Sequence, residues 1–448
     1  MKTSVVSHKF IVSQMRLDGS FHLSDGLFVR KIIQNSPYGY KLISDVTSNI
    51  YCPGIFRRNY VSSGIPFLGG ADIQKLDLDS GKYLRKSNTP NYDILEIEKG
   101  WTLVTCGGTI GDTVFANNLL AKCWVSQHVM RVIPSTIKEG MLYAYLASKY
   151  GKMLLTTNTY GSVIPTLNAD SIEQLPIPIF PESFQSEVDK LVQESAYERE
   201  QADSYLHRAV KLFEQHIGIS HVNLKHQTSS ISFKSISAKF TRFDSQYQIG
   251  MSQLKHEKEN YDTIKLSSVA DKILVGNRGK REYVERNGTP FLSSSDMMLA
   301  NPLRQAKQIR KNSKNIDNML VNTGDILISR SGTVGNTVIV GNTLNGVAVS
   351  EHAMKLAIDI TKIAPEYVFA YFRTKQGQNS LQILPYGSVI VTLGEEFLGD
   401  IDLPILPQLI IDEIIGYIKE YIRNTDLAIQ NDNNAIKMVE EEIEKWNK

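Results

Sequence analysis

A chain of 448 residues exceeds one ordinary domain, and its 42% hydrophobic and 21% charged content is that of a globular protein with two or three cores. The formal net charge of +2 neither demands nor excludes a nucleic-acid partner, so local clusters decide that question. The three cysteines, Cys52, Cys106 and Cys123, have no C-x-x-C spacing; they indicate neither a disulfide framework nor a zinc site and suit a reducing cytoplasm.

In chain order, the opening "MKTSVVSHKFIVSQMRLDG" lacks the apolar run of a signal peptide, and no window approaches 18 apolar residues, so a cytoplasmic chain without a membrane span is expected. "RLD" at 16–18 is followed by "IPFLGGADI" at 65–73, "KGWTLVTCGGTIGDTVFA" at 99–116 and "SQHVM" at 126–130. Next comes "MLYAYLASKYGKML", an amphipathic helix by its spacing, and then "YGSVIPTLNADSIEQLPIPIFP" at 160–181. Each of these blocks has a second copy. "RFD" stands at 242–244, "TPFLSSSDM" at 289–297, "TGDILISRSGTVGNTVIV" at 323–340 and "SEHAM" at 350–354. "EYVFAYFRTKQGQNSL" is a second helix, entered through Pro365, and "YGSVIVTLGEEFLGDIDLPILP" at 386–407 closes the series. The offset between copies is 224 residues in the middle and 226 at both ends, which establishes an internal duplication.

Short apolar runs such as "WTLVT" and "DILIS" end at Gly-rich turns and read as strands. "LPIPIFP" and "IDLPILP" read as proline-broken extended segments that stop whatever precedes them. A long helix follows each. In the second, Ile415, Ile422, Ile429, Ile436 and Ile443 fall seven apart, with Ile418 and Val439 in the companion position and Thr425 and Asp432 as polar breaks. The first copy is weaker: Val188, Ser195, Ala202, Ala209 and His216, beside Leu191, Tyr205 and Leu212, with Glu198 as a break. Helices of this length span roughly 50 to 60 Å, and a single apolar stripe needs a partner, most economically the other copy. A carboxylate in the seam, Asp432, needs a basic or hydrogen-bonding partner or access to water. The predicted fold is therefore α/β (α+β): two similar mixed globules and two long antiparallel helices forming a coiled-coil spacer with internal pseudo-twofold symmetry. Its segments are 1–181, a helix over 182–217, a polar Ser-rich linker over 218–238, a second globule over 239–407 and a helix over 408–448.

This order of blocks resembles the specificity subunit of Type I restriction-modification systems. The resemblance covers nearly the whole chain: a "GDIL" strand, a "GTxG" turn, a "YGS" block and an "LPIP"-like segment before a heptad helix, all in order and twice. It implies two target recognition domains, each reading one half of a bipartite asymmetric site on double-stranded DNA. It implies that the helices set the unread gap. The implied partners are two methyltransferase subunits acting at adenine N6 and, in restriction complexes, two motor-nuclease subunits. It implies no catalysis and no cofactor on this chain, since the methyl donor is bound by the partner.

The residues carry a matching footprint. Between Lys272 and Lys314 stand ten Lys or Arg against three acidic residues; between Lys41 and Lys86 the balance is seven to four. The candidate contacts in the first globule are Arg57, Arg58, Asn59, Tyr60, Lys82, Arg85 and Lys86. In the second they are Asn277, Arg278, Lys280, Arg281, Arg286, Arg304, Gln305, Lys307, Arg310 and Lys311. Arg and Lys hold phosphates or read guanine, and Asn59, Asn277 and Gln305 have the geometry to read adenine. Any one of these residues taken singly also reads as a solvated loop residue. The "CGGTIGD" and "SRSGTVGN" turns lack phosphate-loop spacing and read as tight turns in which Gly supplies positive φ, with Arg330 and Ser331 as phosphate contacts where the turn faces DNA. His128 and His352 recur without a nucleophile or metal-ligand set and read as structural. "NPLR" at 301–304 is not the NPPY of an adenine methyltransferase, and no G-x-G-x-x-G follows a strand. A duplicated coiled-coil scaffold or adaptor without DNA readout is the competing class; DNA binding that falls steeply with salt separates the two.

Overall fold

The computed structural model describes residues 6, 8, 19–157, 166–220, 222, 242, 244–257, 261–276, 281–313, 316–387 and 391–446. The chain divides into two compact units. The first holds residues 1–200 and 427–448, the second 201–426.

In the first unit a four-stranded antiparallel sheet runs in the order Thr47–Tyr51, Val129–Pro134, Thr102–Thr105, Thr113–Phe115. A three-stranded sheet sets Ile65–Leu68 between Tyr83–Leu84 and, in parallel, Trp124–Val125. The second unit repeats this plan. Ala270–Val275, Ala353–Ile358, Ile326–Ser329 and Thr337–Ile339 form the larger sheet, and Thr289–Leu292 again has a parallel partner, Ala348–Val349. Here the small sheet gains a strand, with order Tyr283–Val284, Lys307–Ile309, Thr289–Leu292, Ala348–Val349. The duplicated sequence is thus a duplicated topology. The two Gly-rich turns join antiparallel strands in both copies, with φ of 80° and 79° at Gly108 and Gly111 and of 78° and 92° at Gly332 and Gly335.

The proline segments do more than stop the chain. Pro176–Pro178 pairs antiparallel with Tyr40–Leu42, and Asp402–Pro404 with Thr263–Lys265. Both are two-stranded ribbons, where a proline's missing N–H can face away from the ladder. The helix expected over "MLYAYLASKYGKML" is two helices, Glu139–Ala147 and Lys149–Thr157, and its copy is Pro365–Arg373 and Lys375–Ile383. The break is local. The Ser148 and Thr374 hydroxyls accept the amides of Gly151 and Gly377 at 3.2 and 3.1 Å, capping the second helix of each pair. A Cβ on either glycine would lie 2.3 Å from the Tyr145 carbonyl oxygen or 2.0 Å from that of Tyr371. The first helices are not amphipathic: Met141–Leu146 and Tyr367–Phe372 are buried on every face.

The "RFD" block explains itself through its neighbours. Arg242 donates to the carbonyls of Leu384 and Pro385 at 2.6 and 3.0 Å and to the Asp244 carboxylate, and its guanidinium lies over Phe397. Tyr386 of the second "YGSV" block packs edge-on against the same Phe397 and forms a bridge with Thr392. Arg16, Asp18 and the first "YGSV" block lie outside the described residues.

The long helices are Glu182–Ile217 and Gln408–Lys445. Each unit takes the first part of one and the last part of the other. In the first unit the two segments run antiparallel: Phe180, just before the first helix, lies 5.7 Å from Trp446, while Ser195 donates to the Ala428 carbonyl at 2.8 Å. In the second unit Tyr205 meets Tyr417, rings 6.4 Å apart. The expected seam needs correction at three places. Ile414 and Tyr421 are buried where Ile415 and Ile422 are only partly covered, and His216 is exposed where Phe213 and Ile217 are buried. A straight helix of 3.6 residues per turn drifts off a strict seven-residue repeat. These helices also pack on the globules. Phe213 lies 4.9 Å from Tyr367, and Val188, Val192, Ala435, Val439 and Ile443 join the core of the first unit.

Carboxylates on the helices hold the globules through backbone amides. Glu440 accepts from the Lys149 amide at 2.6 Å and Glu214 from the Lys375 amide at 2.8 Å. These are equivalent positions at the N-termini of equivalent helices, where the helix dipole favours an anion. Glu200 accepts from the Asn118 amide at 2.9 Å and Asp426 from the Asn342 amide at 2.8 Å, again at matching positions. Buried Asp432 finds the partners its seam position requires. The Tyr143 hydroxyl donates to it at 2.6 Å, and Arg199 stands 3.9 Å away. At the 226-residue offset Phe369 replaces Tyr143 and Leu206 replaces Asp432, so both positions are apolar in the other unit. Asp432→Leu should therefore destabilise the chain by about 1–3 kcal/mol by removing the carboxylate that accepts from the Tyr143 hydroxyl. Adding Tyr143→Phe should recover part of that loss, a coupling measurable in a double-mutant cycle by denaturant unfolding.

Candidate nucleic-acid interface

In the first unit the fold gathers two separate stretches of sequence. Residues 53–60 leave strand Thr47–Tyr51 and run beside residues 82–88, joined by the bridge Val61–Tyr83, by Arg85 donating to the Ser63 carbonyl at 3.4 Å and by Asn59 donating to the Asn88 carbonyl at 3.4 Å. Arg57, Asn59, Tyr60, Lys82, Arg85 and Lys86 are exposed on these strands and loops. Lys86 pairs with Glu96 at 3.1 Å and lies over the Tyr92 ring. Between exposed groups such a pair contributes little. Arg58 is half-buried, stacked over Phe67 at 5.3 Å, and donates to the Gln127 side-chain oxygen at 2.7 Å.

The second unit builds the corresponding arrangement. Strand Lys307–Ile309 pairs with both Tyr283–Val284 and Thr289–Leu292 and so brings residues 281–286 against 307–311. Arg281 stacks over Phe291 at 4.6 Å and is ion-paired with Glu351. Lys307 lies over the Tyr283 ring at 5.4 Å, and Arg310 pairs with Glu282 at 2.9 Å. Arg286, Gln305, Lys307, Arg310 and Lys311 are exposed, and Arg304 is half-buried. Asn277, Arg278 and Lys280 lie outside the described residues. Arg330 and Ser331 sit apart from this sheet, at the Gly turn. The Arg330 Nε donates to the Leu393 carbonyl at 3.1 Å, and Ser331 Oγ shares a 2.6 Å hydrogen bond with His352 Nδ1.

Two features escaped the sequence reading. The first is the Arg-on-Phe unit, held in each copy by the residue between Ser and His of the "S-x-H-x-M" block: neutral Gln127 in one, anionic Glu351 in the other. Its signal in the sequence is the repeated "S-x-H-x-M" block itself, whose variable second position carries the contact. The histidines themselves support the turns through their carbonyls, which accept from Cys106 and Arg330 amides at 2.9 Å. The second is a buried cation. Arg131 is wholly buried and donates to the carbonyls of Ser126, Val129, Leu95 and Val125. Burial pulls its pKa down to about 10. Its counterpart Lys355 is also buried and donates to the Leu320 carbonyl at 2.7 Å. Among the described residues no group of three or more His, Cys, Asp or Glu could hold a metal ion, and no helix is long and apolar enough to cross a membrane.

The repeated topology, the paired long helices and a basic cluster on each small sheet define a duplicated recognition protein. A model of the Type I restriction modification DNA specificity domain matches residues 56–190 and 258–438. The chain belongs to that family: it is a DNA-specificity protein of the Type I restriction-modification class, a recognition subunit and not a catalytic one. Solved structures with similarity to it include a Type I restriction-modification S subunit from M. genitalium, at 12% identity over 91% of this chain and 95% of that one, TM-score 0.37. The HsdS subunit from Thermoanaerobacter tengcongensis is similar at 12% identity over 92% and 98%, TM-score 0.29. A chain from a study of complex assembly and conformational transition of the type I R-M system is similar at 12% identity over 92% and 97%, TM-score 0.30. No curated protein matches the chain.

The buried Arg131 supports the strands behind the first cluster. Arg131→Leu should remove the one side chain that donates to all four carbonyls and cost about 3 kcal/mol or more, while Arg131→Lys, the residue type of the second copy, should cost less. Denaturant midpoints of the two variants check the order.

Proposed function

We propose that each unit carries one reader of a bipartite, asymmetric double-stranded DNA site, residues 1–181 for one half and 239–407 for the other. In this reading helices 182–217 and 408–448 set the unread gap, and 218–238 is the linker. The chain directs two methyltransferase subunits to adenine N6 and, in a restriction complex, two motor-nuclease subunits, within the cytoplasm. The observation that carries this reading is one scaffold used twice with different exposed loops: basic residues crowd the same small sheet in both units, while the framework contacts behind them repeat. Two readers that share a framework and differ in their loops and in the extent of the small sheet suit two unlike half-sites.

Methylation sequencing of cells carrying this chain with its methyltransferase tests the reading. A split adenine-methylated motif should vanish when the chain is deleted. Replacing residues 39–180 should change one half of that motif alone; a change in both halves would overturn the two-reader assignment. Lys82→Ala and Lys311→Ala should each lower the slope of log affinity against log salt by about one if the lost charge met a phosphate, without changing the motif. Arg58→Ala and Arg281→Ala should instead cost about 1–3 kcal/mol each and relax one half-site each.

A further inference from the structure

The cysteines, unremarkable by spacing, meet in the fold. Cys52 follows strand Thr47–Tyr51 and Cys106 follows Thr102–Thr105, and both strands flank Val129–Pro134 at the same end of the sheet. Their sulfur atoms stand 3.2 Å apart as free thiols, while Cys123 is a third, separate buried thiol. A disulfide needs about 2.05 Å between sulfurs, so closing the bond takes a movement of roughly 1 Å. Cys106 is buried, 7% exposed, and Cys52 beside it is the partly exposed member of the pair. The hydrogen bond from Cys52, aided by the buried charge of Arg131, holds the Cys106 thiol below its ordinary pKa, which favours the reactive thiolate.

The pair sits under the candidate interface. Residues 53–60, with Arg57 to Tyr60, begin directly after Cys52. Cys106 Sγ donates to the Gln127 carbonyl at 3.7 Å, and the Gln127 side chain holds Arg58 at 2.7 Å. The second unit has no cysteine at all: Arg330 occupies the position equivalent to Cys106, its amide bonded to His352 as that of Cys106 is to His128.

We propose that Cys52 and Cys106 are an oxidisable dithiol that a peroxide converts into a disulfide, and that this closure weakens recognition by the first domain alone. The Cys106 thiolate attacks one peroxide oxygen and the O–O bond breaks. The departing oxygen leaves as water after taking up a proton, and Cys106 becomes a sulfenic acid. Cys52 sulfur then displaces the sulfenic hydroxyl, the S–S bond forms, and the hydroxyl leaves as a second water with the Cys52 proton. Two thiols are oxidised by two electrons and one peroxide is reduced. The Gln127 carbonyl loses its S–H donor, the root of residues 53–60 is pulled inward, and the seat of Arg58 shifts.

The effect on DNA rests on the reading of the first unit as a half-site reader; the chemistry does not. The purified full chain is treated with hydrogen peroxide, its remaining thiols are alkylated, and it is digested without reductant for mass spectrometry. The expected product joins the Cys52 and Cys106 peptides, two hydrogens lighter than their sum, with Cys123 alkylated. Separate alkylation or separate over-oxidation of Cys52 and Cys106 would overturn the dithiol. Oxidation should then weaken binding to duplexes bearing the methylated motif by about tenfold, the scale of one lost base or phosphate contact. Duplexes mutated in the first half-site should lose no further affinity on oxidation, and thiol reductant should restore the loss. Cys52→Ser should bind as the reduced chain does and resist peroxide. A disulfide that forms without changing affinity overturns the control of recognition. A reduced chain that binds no duplex would fault the recognition reading, and the mass result would stand apart from it.

Discussion

A helix of 36 or 38 residues with an apolar stripe along one side cannot be left in water, and everything else in this protein is arranged around that constraint. Each helix gives its stripe partly to the other helix and partly to a globule. Val188 and Val192 from one and Ala435, Val439 and Ile443 from the other enter the same core as Met141 and Tyr145. Apolar contact is indifferent to rotation and sliding. The carboxylates of Glu200, Glu214, Asp426 and Glu440 are not, because each accepts from a specific backbone amide. Burial supplies the attachment, and these charge-assisted bonds supply its register.

The duplication has kept framework and varied detail, and the pattern of variation is physically ordered. Ser148 and Thr374 cap the same break, Gly151 and Gly377 admit the same close approach, and Phe67 and Phe291 each carry a stacked arginine, from neighbouring positions of the repeat. Where one copy buries the polar pair Tyr143 and Asp432, the other has Phe369 and Leu206, two apolar groups. Changing both members together avoids the cost of a half-satisfied buried pair. Nearer the candidate interface the changes alter charge. Gln127 leaves the charge of Arg58 uncompensated within that pair, and Glu351 neutralises Arg281. The two copies thus carry different charge at matching places on one repeated framework.

Much of this was legible from the chain alone. The stable offset revealed the duplication, and with it a repeated topology. The two long helices emerged from a seven-residue spacing of Ile429, Ile436 and Ile443, and the Gly-rich turns from their strand-turn-strand grammar. Asp432 was recognisable as a residue needing a partner because a carboxylate in an apolar seam has few options. The basic stretches were recognisable by count, since clustered like charge is a property of composition.

The rest depended on which distant residues meet, and spacing along a chain carries no such information. The seam shifted to Ile414, Tyr421 and Phe213 because a third surface, the globule, competes with the partner helix for the stripe. The proline segments became strands because Tyr40–Leu42 and Thr263–Lys265 lay beside them. Cys52 and Cys106, 54 residues apart, became neighbours because two strands flank a third. Local periodicity and the repeat were determined by the sequence itself, through the fixed geometry of helix and strand. Partners across the fold were decided only by the tertiary structure, where burial leaves each polar group and each thiol with whatever the packing brings within reach.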